Sequence, residues 1–151
     1  MEQLRSRRPS GPSATVEHLL PERRRDPEVR RRLSGPALRT FFNIAKAWQA
    51  SAQEERGLLG WPATSTFHKY KSGAHGTLSL DMLTRLSLVV GIYSSLQVLY
   101  PEQGFADRWV KMPNSHTLFG GDPPLDLMID GGIDGLSRVR RLLDGRRGGW
   151  N

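Results

Sequence analysis

The chain has 151 residues, 37% of them hydrophobic, and a formal net charge of +7. Having no cysteine, it is excluded from disulfides, thiolate metal sites and cysteine nucleophiles. The longest apolar stretch, Leu86 to Tyr100, is broken by Ser87, Ser94, Ser95 and Gln97 and falls short of the roughly 20 residues that cross a bilayer; no apolar run follows Arg5, Arg7 and Arg8 to form a secretory signal, so a cytoplasmic globular protein is expected.

Residues 1–35 carry nine Arg against five acids, four of the ten prolines and few large apolar side chains. Such a stretch buries too little surface to offset its ordering entropy and reads as a flexible basic arm, with room for a short helix over Pro27–Leu33. Residues 36–100 are also basic, with six cations and three acids, whereas residues 101–151 carry seven of each. A basic first two-thirds points to a polyanionic partner, and a neutral last third to a different one.

From Gly35–Pro36 the apolar residues Leu38, Phe41, Phe42, Ala45 and Trp48 recur at helical spacing. Ser51 with Glu54 makes a capping box for a second, short helix that ends at Leu59–Gly60. Trp61–Pro62–Ala63 is a turn, and a third short helix runs from Thr64 to Lys71, ending at Ser72–Gly73. Ser79 caps a longer helix with Asp81 in its first turn and Leu83, Leu86, Val90 and Tyr93 inward. Gly91 is expected to bend or divide it before Pro101.

Further helices are expected over Phe105–Lys111, Leu125–Ile129 and Ile133–Leu143, the first two separated by a Gly- and Pro-rich loop anchored by Leu118 and Phe119. Asp144 to Asn151 reads as a flexible tail ending in one large aromatic, Trp150. The expected fold is all-α: a helix-turn-helix module followed by a small helical module.

Two short helices joined by a tight turn suit the major groove, where early residues of the second helix meet base edges and neighbours meet phosphate. With Phe67 and Tyr70 turned inward, Thr64, Ser65, Thr66, His68, Lys69 and Lys71 supply the hydroxyls, imidazole and ammonium groups for DNA contact. An enzyme is not expected. His18, His68, His75 and His116 have no metal-ligand spacing, and Gly131–Gly132 interrupts the helix that would align Asp122, Asp126, Asp130 and Asp134. Gly120–Gly121 lacks the strand and lysine of a phosphate loop. Neither a metal nor a cofactor is expected.

The span from Leu58–Leu59–Gly60 through Ser65–Thr66–Phe67 to Tyr70 resembles the helix-turn-helix of the Xre repressor superfamily. It departs in a turn one residue longer, and in Glu55 and Arg56 where the common pattern has an apolar residue and alanine. Trp109–Val110, Pro113–Asn114, Leu118–Phe119–Gly120–Gly121, Pro124–Leu125–Asp126–Leu127–Met128, Gly135–Leu136, Val139–Arg140 and Leu143–Asp144 together resemble the toxin-binding domain of the Xre/MbcA/ParS antitoxin family. The resemblance covers roughly residues 36–150. It implies an antitoxin that neutralises a RES-domain, NAD-consuming toxin and represses its own operon, acting as a homodimer or a larger complex with toxin. It further implies that the C-terminus obstructs the toxin's substrate pocket, with Arg140, Arg146, Arg147 and Trp150 as the contact residues, types that dominate interface energetics. The alternative is a stand-alone helix-turn-helix repressor whose last third dimerises.

Overall fold

The computed structural model describes residues 25–148, and all regular structure among them is helical. In chain order these are α1 (Pro27–Ala47), α2 (Ala52–Leu58), α3 (Thr64–Ser72), α4 (Leu80–Leu99) and α5 (Gln103–Arg108), then a 3₁₀ turn over Trp109–Lys111. The chain continues into α6 (Pro124–Asp130) and α7 (Gly132–Arg147).

Helix α1 starts nine residues before the expected boundary at Gly35–Pro36 and runs through Pro36 without ending. Asp26 caps it by accepting the Glu28 N–H at 2.9 Å, and Pro27 occupies the first turn, where its missing N–H costs nothing. An interior proline costs about 3 kcal/mol in an isolated helix. Here the buried face, Leu33, Ser34, Ala37, Leu38, Phe41, Ile44 and Ala45, is continuous across Pro36, and its burial outweighs that cost. Ser34 is part of the reason: its hydroxyl donates to Arg30 O and accepts the Leu78 N–H at 2.9 Å, tying α1 to the segment before α4. Residues 27–35 are therefore ordered helix rather than arm; residues 1–24 lie outside the described part.

Helix α4 is the centre of the molecule, packed by α1 on one side and α7 on the other. Its buried residues, Leu83, Leu86, Val89, Val90, Gly91, Ile92, Ser95 and Leu96, cover most of its circumference, so its apolar face is far wider than the stripe expected from sequence. By length and apolarity alone α4 would suffice to cross a membrane. Gly91 neither bends nor divides it. One contiguous core joins Phe41 and Trp48 of α1, Leu58 of α2 and Phe67 of α3 to Met128, Leu136 and Leu143 near the C-terminus.

Candidate functional site

The α2–turn–α3 unit is built from local rules that the sequence carries openly. Ser51 Oγ accepts the Glu54 N–H at 3.0 Å, and Glu54 accepts the Ser51 N–H at 2.9 Å, closing the capping box of α2. After α2 the backbone is left-handed at two successive residues, Gly60 (φ 80°) and Trp61 (φ 61°). The second is unusual for a bulky side chain, and Arg56 holds it in place. Arg56 Nε donates to Pro62 O at 2.6 Å while its guanidinium lies 5.8 Å from the Trp61 ring. Arg56, a departure from the common pattern, thus braces the longer turn.

Helix α3 hangs on one buried side chain, Phe67, which is 4% exposed and meets the Phe42 ring of α1 at 6.1 Å. Thr64, Ser65, His68, Lys69 and Lys71 are exposed and Thr66 is half-buried, so the structure leaves five of the six sequence-chosen residues open to solvent. No side chain caps the N-terminus of α3.

Lys71 is engaged within the fold. Its ammonium lies 2.8 Å from Glu55 Oε1 and sits over the rings of Phe42 and Phe67 at 5.8 and 5.7 Å. The Glu55 side chain is only 7% exposed, against 50% for Lys71. Glu55 therefore occupies the core-facing position that its place in the pattern demands, and Lys71 reaches back from the recognition helix to neutralise it.

In the C-terminal third, Trp109 and Phe119 stack edge-to-face at 5.9 Å, anchoring the loop that follows the 3₁₀ turn. Asn114 Oδ1 accepts the His116 N–H at 3.0 Å, and Gly120 and Gly121 take left-handed φ values of 59° and 93°. Leu136, Val139 and Leu143 of α7 are fully buried.

The expected flexible tail is corrected in part: α7 continues through Arg147, and its arginines have partners inside the fold. Arg140 Nε grips both Asp144 oxygens at 3.1 and 3.0 Å, and Ser95 Oγ of α4 donates to the same carboxylate at 3.2 Å. A Cβ on Gly91 would lie 1.4 Å from Arg140 Nη1, so this glycine is the gap through which the guanidinium crosses α4. Arg146 donates to the Tyr100 hydroxyl and Arg147 to Ser95 Oγ, both at 3.3 Å. Trp150 lies outside the described residues. Sequence reasoning passed over an open groove of about 640 Å³ on the other side of α7, lined by His116, Thr117, Leu118, Arg138, Arg141 and Leu142. Positions 138, 141 and 142 share the face left over once the buried face of α7 is subtracted, which is the signal that could have found it.

The two modules are fastened at the helix-turn-helix. A Cβ on Gly57 would approach Ile129 Cγ2 of α6 to 2.7 Å, so α2 and α6 touch backbone to side chain. Arg85 of α4 passes within 2.7 Å of the Cβ position of Gly60 and 3.8 Å of that of Gly132. Lys111 donates to Gln49 O and lies 3.2 Å from Glu54 Oε1. Partial burial, the largest single influence on Glu54, raises its pKa, but the Ser51 N–H and Lys111 together outweigh it and hold the carboxyl below its ordinary value. Asp134 pairs with Arg138 at 3.1 Å, and the left-handed Gly132 (φ 58°) separates it from the acids of α6.

Residues 27–91 match the family described as the antitoxin Xre-like helix-turn-helix domain, and residues 95–149 match the antitoxin Xre/MbcA/ParS C-terminal toxin-binding domain. A protein of Sinorhizobium fredii, described as uncharacterized protein y4oB, is 42% identical over 112 residues, which is 74% of this chain and 84% of that relative.

Proposed function

The chain belongs to the Xre/MbcA/ParS antitoxins, with the helix-turn-helix and toxin-binding domains in that order, and from this we propose that it neutralises a RES-domain, NAD-consuming toxin and represses its own operon. The observation that carries the DNA half is the open face of α3, where Thr64, Ser65, His68 and Lys69 stand clear of the core. Thr64, Ser65 and Thr66 at the start of α3 suit base edges, and His68 and Lys69 suit bases or phosphate. Lys71 acts chiefly by setting the angle of α3 through Glu55. Two such units, brought together in a homodimer or by toxin, would read paired half-sites. Acting on its own promoter and on a toxin that consumes NAD would set this work in the cytoplasm.

The toxin half rests on the C-terminal module. Arg140 lies in the middle of α7 and Arg146 and Arg147 in its last turn, and Trp150 follows in the sequence as an aromatic of the kind that dominates interfaces. Because α7 is docked on α4 to its last turn, the inhibitory wedge is already ordered, which reduces the ordering cost of blocking the toxin's active site.

The test is co-expression with the protein encoded beside it. Full-length antitoxin restores growth and intracellular NAD, whereas a chain lacking residues 148–151 forms the complex but restores less NAD. Equal protection by both forms would remove Trp150 from the mechanism. Absence of any complex with the neighbouring protein would overturn the toxin-binding reading for that partner. No shift of the protein's own promoter at low salt would overturn the repressor half.

A further inference from the structure

Outside the recognition helix, α1 carries an exposed basic stripe. Arg32, Arg39 and Lys46 are spaced seven residues apart along it and all are exposed. A seven-residue step drifts only about 20° round a helix, so they follow one side of it. Arg32 to Lys46 spans about 21 Å at 1.5 Å per residue, or about six base-pair rises of 3.4 Å. The one carboxylate within α1, Glu28, is taken by Arg31 at 2.6 Å.

Midway along the stripe lies a notch of about 400 Å³ between α1 and the C-terminal end of α3. Its floor is Gly35. Arg39 Nη1 lies 3.2 Å, and His75 Nε2 3.4 Å, from the point a Cβ on that glycine would occupy. His75 Nδ1 is hydrogen-bonded to Gly76 O at 2.9 Å, which fixes the ring with its other nitrogen toward the notch. Asn43, one turn beyond Arg39, adds an exposed amide, and Lys71, Ser72 and Gly73 close the far wall. Lys71 is neutralised by Glu55 and Arg39 is bonded to no described carboxylate, so Arg39 is the notch's uncompensated cation.

We propose that this notch binds a backbone phosphate of the DNA whose major groove receives α3, and that Arg32 and Lys46 extend the contact along the same strand. A phosphodiester strand suits the site better than a protein or a lipid surface. The cations are evenly spaced along one unbroken helix with no exposed large apolar residue among them, and the notch shares its wall with α3. The inference rests on the reading of α3 as a DNA-binding helix.

The experiment is binding of the full chain to its own promoter and to an unrelated duplex across a salt series. Each phosphate contact contributes about 0.9 to the slope of log affinity against log salt. Arg39→Ala should lower that slope by about 0.9, and the Arg32→Ala, Arg39→Ala, Lys46→Ala triple variant by about 2.7, equally on both duplexes. Arg39→Lys should keep the slope, because the charge remains. Asn43→Glu, which puts a carboxylate on the wall, should weaken binding about tenfold or more with thermal unfolding unchanged. An unchanged slope in the triple variant, with wild type binding normally, would overturn the phosphate site and leave α3 standing. Failure of wild type to bind either duplex would overturn both.

Discussion

The recognition helix α3 and the last helix α7 are both basic, both amphipathic, and both carry residues chosen from sequence as contacts, yet the fold treats them in opposite ways. Helix α3 puts one buried aromatic into the core, leans Tyr70 against it and ties Lys71 to Glu55, while Thr64, Ser65, His68 and Lys69 face outward. Helix α7 buries Gly135, Leu136, Val139 and Leu143 and ties Arg140, Arg146 and Arg147 to groups within the molecule. Thr64, Ser65, His68 and Lys69 of α3 can therefore change without disturbing the fold, whereas the side chains on the inner side of α7 cannot. An arginine's chemistry says that it binds something planar and anionic; whether that partner is the protein itself is decided by what surrounds it.

The sharpest way to break this contrast is truncation on each helix. Leu136→Ala in α7 should cost about 2–5 kcal/mol, while Lys69→Ala in α3 should stay within about 0.5 kcal/mol of wild type and still lose DNA affinity. Chemical denaturation measures the first pair and duplex titration the second; similar stability losses would erase the distinction.

Next in size is the ion pair that binds α3 to α2. Lys71→Ala strands a buried carboxylate and should cost about 1–3 kcal/mol, whereas Glu55→Leu frees a half-exposed lysine to solvent and should be near neutral. If the two variants are equally stable, Lys71 is a DNA contact only. Gly91→Ala should destabilise by about 1–2 kcal/mol, despite the better helix propensity of alanine, because the new Cβ ejects Arg140 from its seat on α4. A rise in melting temperature would show that the crossing contributes nothing.

The smallest effect concerns Glu54. Its folded pKa lies below the unfolded one, so its contribution is fully present above about pH 4.3 and is lost as pH falls through the lower folded value. Glu54→Gln should flatten the acid limb of the stability curve and leave neutral-pH stability lower by about 0.5–1 kcal/mol, as for a weakened cap. An unaltered acid limb would show that the cap and Lys111 do not stabilise the charge.

Much of the helix-turn-helix was legible because its signals are local. Ser51 and Glu54, Gly60, Pro62 and Gly73 act within a few residues of themselves, and the observed ends of α2 and α3 fall within two residues of them. The basic notch was not legible, since Arg39 and His75 meet over Gly35 only because α1 and the α3–α4 loop pack together. Nor was the role of Glu55, which reads as surface charge until Lys71 arrives from sixteen residues away.

What the sequence determined by itself was the order of the helices, their caps and stops, and the family pattern, because each depends on short-range backbone hydrogen bonding or on a linear string of residues. Tertiary structure decided where helices ended against those local signals. Helix α1 passes Pro36 and α4 passes Gly91 because each has a buried face that continues beyond the breaker, while α7 passes Asp144 with Arg146 and Arg147 bonded to Tyr100 and Ser95. It also decided which cations remain available for a partner, since a charge is free only where no neighbouring element has brought it a counter-charge.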